Sequence, residues 1–108
     1  MTRYLLIESR DSFETASVSD VTDLARDLKT QGHEVTLFLV QNGVLPARKS
    51  PRSQVLADLV KAGVKVLADD FSLAERGIDD GRLVPGVKQS SVDLIVDEMA
   101  AGAKAIWH

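Results

Sequence analysis

Three short apolar runs, Tyr4 to Ile7, Val35 to Val40 and Val64 to Ala68, are separated by stretches in which apolar residues return at helical spacing. A run of this length, rich in valine, leucine and isoleucine and without strict alternation, reads as a strand covered on both faces. Strands separated by helices join in parallel through right-handed crossovers, which bring all their C-terminal ends to one edge. The alternation therefore narrows the chain to an α/β fold, a three-layer α/β/α sandwich with a mainly parallel sheet of about five strands. At 108 residues the whole of 1–108 is a single domain, long enough to bury about two-thirds of its unfolded surface.

The elements between the runs carry their own signals. Val18, Val21, Leu24, Ala25 and Leu28 define a helix with Ser17 or Ser19 as its cap and Gly32 as its stop. Ser50-Pro51 opens a second, with Val55, Leu56, Leu59 and Val60 facing the sheet and Gly63 closing it. Leu83-Val84-Pro85-Gly86-Val87 reads as a short strand broken by its Pro-Gly pair. Ser90 caps a helix that turns Val92, Ile95, Val96 and Met99 toward the sheet and Leu94 away from it, and Ala103 to Trp107 is the last strand.

Charge and motifs exclude several classes of function. Thirteen Lys and Arg against sixteen Asp and Glu leave a net charge of −3, whereas nucleic acid requires a basic face. The absence of cysteine removes disulfides, thiolate zinc sites and any protein-bound persulfide. No apolar run reaches signal-peptide or membrane-spanning length, so a cytoplasmic protein with no membrane partner is expected. Walker, G-x-G-x-x-G, G-x-S-x-G and H-E-x-x-H patterns are missing, and no cofactor or resident metal is expected.

Parallel topology also sorts the polar residues. Glu8 to Asp11, Gln41 to Gly43, Asp69-Asp70 and His108 all follow strands, at the edge where such folds bind ligands, while His33 precedes one and lies opposite. The richest turn follows the third strand: Asp69, Asp70, Phe71 and Ser72 open a one-turn helix that Gly77 stops, and Arg76 reaches back to pair with an aspartate. Asn42 and Gly43 stand beside it, the glycine admitting a close backbone approach and the amide offering hydrogen bonds. Arg48 stands in the basic loop Leu45 to Arg52, which reads either as a solvated loop or as a mobile lid that attracts an anionic ligand or acidic partner. Phe13, Phe71, Trp107 and Leu94 read either as ordinary core filling or as apolar groups left outside one core, which would point to an interface. The aspartates read either as helix caps, with Ser72 to Glu75 in capping-box pattern, or as enzymatic acids that join His108 around a divalent ion. A phosphoacceptor aspartate would want a lysine after the last strand, where His108 stands instead.

Gln31-Gly32-His33-Glu34-Val35-Thr36-Leu37-Phe38, Gln41-Asn42-Gly43-Val44, and Ala62-Gly63-Val64-Lys65-Val66 followed by Glu75-Arg76-Gly77 together resemble the DsrE/DsrF-like proteins. That group takes in DsrE, DsrF and DsrH, TusB, TusC and TusD, and the YchN type. The resemblance implies the same α/β fold and assembly into trimers, hexamers or mixed heterohexamers. It also implies that active members carry a persulfide on a cysteine in the turn ahead of the Arg-Gly pair. The matching position here is Asp69, and a carboxylate cannot carry sulfur. By resemblance to subunits such as DsrF and TusC that lack a working cysteine, the chain is expected to be a non-catalytic, oligomer-forming protein, not an enzyme. It would bind a partner or ligand, through self-association or with related subunits. The alternative is an enzyme that uses the carboxylates after the third strand, with a divalent metal.

Overall fold

Leu5 and Leu6 are adjacent, point to opposite faces of a strand and are both wholly buried, which requires cover on both sides of the sheet. The structure, a computed structural model, describes residues 2–108 apart from the side chain of Arg52. In chain order its elements are β1 (Arg3–Glu8), α1 (Val18–Thr30), β2 (Glu34–Leu39), α2 (Gln54–Lys61), β3 (Lys65–Asp69), α3 (Asp70–Glu75), β4 (Lys88–Ser90), α4 (Asp93–Ala100) and β5 (Lys104–Trp107). Short 3-10 segments cover Gln41–Ala47, Pro51–Ser53 and Asp80–Arg82.

The sheet has five strands, all parallel, in the order β4-β3-β2-β1-β5. From β1 the chain steps outward through β2, β3 and β4, then returns by α4 to place β5 on the free side of β1. The larger core lies on one face, where Leu6, Leu37, Leu39 and Val66 pack against Ala25 of α1, Leu56 and Leu59 of α2 and Leu73 of α3. Each such side chain stabilises the fold by about 1.5–3 kcal/mol through removal from water. On the other face Leu5, Ile7, Phe38 and Leu67 are covered by α4 alone, through Leu94 and Ile95. Among the described residues no helix is long and apolar enough to cross a membrane.

Four local expectations need correction. Helix α4 turns Leu94 and Ile95 inward, and exposes Val92, Val96 and Met99. An eight-residue helix can press one narrow stripe on a sheet, and an almost uniformly apolar sequence does not say which. Val55, expected inward, is partly exposed at the start of α2. The fourth strand is not the Leu83 to Val87 run but the polar Lys88–Ser90, an exposed edge with no hydrophobic pattern to announce it. Ser90 is consequently strand, and it is the Ser91 hydroxyl that accepts from Asp93 N at the head of α4, at 3.0 Å.

Candidate functional site

The turn after β3 is built around Asp69. Asp69 is 4% exposed, and its Oδ2 accepts from Ser72 N at 3.0 Å and from the Ser72 hydroxyl at 2.6 Å. Asp69 is therefore the cap of α3, satisfying an N–H that a helix start leaves unpaired. Gly77, at φ +63°, takes the left-handed conformation that ends this short helix. The Ser72 oxygen in turn accepts from Gln41 N at 2.8 Å, which ties the β3 turn to the turn after β2. Gln41 is held at φ +52°, a non-glycine in left-handed backbone. Arg76 completes the link: Nε and Nη2 donate to Asn42 Oδ1 at 3.3 and 3.0 Å, and Nη1 donates to the Ser72 carbonyl at 3.1 Å. The Asn42 amide donates onward to Glu14. Asp69 Oδ1 is buried with no hydrogen-bond partner among the described residues.

Gly43, in the turn after β2, leads to a second site. A Cβ at this position would run into the Glu8 carbonyl, so glycine is required by a close approach to the end of β1. Beyond it opens a pocket of about 100 Å³ between α1, β2 and α2, lined by Val18, Thr22, Leu37, Leu39, Leu56 and Glu8.

Glu8 is 2% exposed. His108, just past β5, places Nδ1 at 2.8 and 2.9 Å from the two carboxylate oxygens, and Arg10 N donates to Oε2 at 3.1 Å. A carboxylate only accepts, so the neutral imidazole carries its proton on Nδ1 and offers Nε2 as an acceptor. Nε2 lies 3.1 Å from the Ser17 hydroxyl. Ser17 in turn lies 2.9 Å from the Thr15 hydroxyl, whose oxygen accepts from Ser17 N. Ser17 occupies the cap position of α1 but makes no side-chain cap bond.

The sequence model of the DsrE/DsrF-like family matches residues 2–107. The chain belongs to the DsrE/DsrF-like family. Solved structures of similar fold include MTH1491 from Methanobacterium thermoautotrophicum, described as a protein of unknown function. It is 23% identical, with a TM-score of 0.88 over 100% of both chains. The YchN protein from E. coli is 19% identical, again with a TM-score of 0.88 over 100% of both chains. No curated protein sequence matches the chain.

Within this DsrE/DsrF-like fold the expected site residues divide. Asn42, Asp69, Ser72 and Arg76 are brought together by the bonds just described, whereas Gly43, next in the chain to Asn42, packs against the end of β1. Asp70 and Phe71 are exposed on α3. Arg76 does not pair with either aspartate; its carboxylate neighbour is Glu75 at 3.8 Å, because the Asn42 oxygen lies closer. Arg48 is exposed and its backbone is bridged to Leu83. The segment is pinned there by Lys49 N to Arg82 O and Val84 N to Ala47 O, both 2.9 Å, so it is a braced loop and not a loose lid. The trio Asp69, Asp70 and His108 is not assembled: β2 and β1 stand between β3 and β5, which at about 4.8 Å per strand is some 14 Å. No group of three or more metal-ligating side chains occurs among the described residues. Sequence reading missed the Glu8–His108–Ser17 cluster because only the strand order makes β1 and β5 neighbours.

Proposed function

We propose that this DsrE/DsrF-like protein is a binding subunit related to sulfur-relay proteins that does not itself carry sulfur at the β3 turn. The observation that carries the reading is Asp69. It stands where the resemblance places the sulfur-carrying cysteine, it is locked as the cap of α3 by two bonds to Ser72, and the chain has no cysteine. A sulfur acceptor must be a thiolate. What the turn retains is a shaped surface, in which Asn42, Arg76 and Ser72 are fixed relative to one another and flanked by exposed Asp70 and Phe71.

Binding extends to copies of the chain itself or to related subunits. Supporting this, α4 leaves Val92, Val96 and Met99 in solvent, and Trp107 of β5, on the same sheet face as Ile7, is 62% exposed. Apolar side chains gathered on the thinly covered face are what an interface buries. Phe13 and Phe71 are also exposed; Leu94, expected to join them, packs on the sheet instead.

The test is chemical. Incubation with polysulfide should leave the intact mass unchanged, and a gain of one sulfur atom would overturn the reading. Asp69→Cys places a thiol at the head of α3, where sulfur uptake would show that the surrounding turn still suits the thiolate.

A further inference from the structure

The strand order defines one crevice at the ligand-binding edge. β1 and β5 are neighbours, yet the chain leaves β1 by α1 on one face and reaches β5 by α4 on the other. In open α/β sheets this change of direction is where the carboxyl ends of the strands part and ligands bind. Glu8 closes β1, His108 follows β5, and Ser17 heads α1; these are the residues that flank the crevice. The β3 turn, two strands away, is a separate place, and nothing argued for it is needed here.

We propose that Ser17 is an activated nucleophile, with His108 as its base and Glu8 as the group that orients His108, acting on short-chain carboxylic esters or thioesters. Three observations converge. Nδ1 lies against a carboxylate that is almost wholly buried and held again by Arg10 N, which in the neutral imidazole leaves Nε2, 3.1 Å from the Ser17 hydroxyl, to accept its proton. That is the arrangement in which a base is positioned beside a hydroxyl by a third group. Ser17 forgoes the cap bond its position invites, and its oxygen instead lies within bonding distance of His108 Nε2 and of the Thr15 hydroxyl. The amide of Val18, next in the chain, has no acceptor among the described residues and begins a helix of 13 residues. It is a donor for the negative oxygen of an acyl intermediate.

The steps balance without a redox partner. Ser17 Oγ bonds to the substrate carbonyl carbon while its proton moves to His108 Nε2. The tetrahedral centre collapses, the alcohol or thiol leaves with that proton, and acyl-Ser17 remains. Water then attacks with His108 again as base, releasing the carboxylic acid and restoring the serine. The neighbouring pocket of about 100 Å³, lined by Val18 and Glu8 on either side of the cluster and otherwise mainly apolar, suits a short acyl chain.

A fluorophosphonate probe tests this, because the serine oxygen displaces fluoride from phosphorus by the same activation. Peptide mass spectrometry should place the label on Ser17. Ser17→Ala should abolish it, and His108→Gln should slow it by about 100-fold or more. The wild-type protein should hydrolyse p-nitrophenyl butyrate, and Ser17→Ala should not. For Glu8, a positioning residue, the 15N spectrum should show Nδ1 of His108 protonated, with the tautomer changed in Glu8→Gln. An unlabelled wild type, label spread evenly over exposed serines, or His108→Gln labelled as fast as wild type would overturn the proposal. Labelling without ester hydrolysis would overturn its acyl chemistry.

Discussion

Asp69 and Asp70 are consecutive carboxylates with different surroundings, and the difference is measurable. Asp69 is buried and holds Ser72 by two bonds, so Asp69→Ala strands the Ser72 N–H and should cost about 1–2 kcal/mol. Asp70 is exposed, and Asp70→Ala should stay within about 0.5 kcal/mol. Urea denaturation of the two variants decides between them; equal losses would remove the capping account. Gly43→Ala should cost about 1–3 kcal/mol, because the new methyl meets the Glu8 carbonyl, a backbone atom that also accepts from Val40 N. The local roles of Asp69 as a cap and of Gly43 as a point of close backbone approach were legible, since a carboxylate between a strand and a glycine-stopped helix, and a glycine after an apolar run, have few local uses. Their partners were not legible. Which strand end Gly43 approaches, and which side chain Arg76 finds, are fixed by packing between segments far apart in the chain.

At the scale of elements, strong patterns translated directly. The long amphipathic α1 and the apolar β2 and β3 stand where their periodicity placed them, because a buried strand or a helix of several turns leaves few alternatives. Polar β4 and short α4 carried weak local information, and tertiary contact decided them. Helix α4 accordingly offers a paired prediction. Ile95 packs on the sheet, so Ile95→Ala should destabilise the protomer by about 2 kcal/mol, the low end for a side chain that is only partly buried. Val96, 67% exposed, contributes little within one chain, and Val96→Asp should change the protomer's unfolding midpoint hardly at all. If the α4 face is the interface, the same substitution should lower the mass found by light scattering. A variant that unfolds early, or an unchanged mass, would place the contact elsewhere.

For the molecule as a whole, the two faces of the sheet are unequal: three helices contribute to the core on one side and α4 alone covers the other. Closed symmetric assembly is the usual remedy for such a face. Light scattering at micromolar concentration should therefore report a species larger than the 11.7 kDa protomer, and a monomer would count against self-association by the chain alone. Strand β5 has a further consequence, which concerns time. All four of its residues are exposed and its one neighbour is β1, and docking it brings together Glu8 and His108, 100 positions apart. Such a segment releases at a smaller free energy than the central strands. Amide exchange in β5 should thus be faster than in β1, β2 or β3; equal protection would mean that the sheet opens only as a unit. Each release leaves Asp69 and Ser72 in place while parting His108 from Glu8, so the two polar sites persist for different lifetimes within one folded chain.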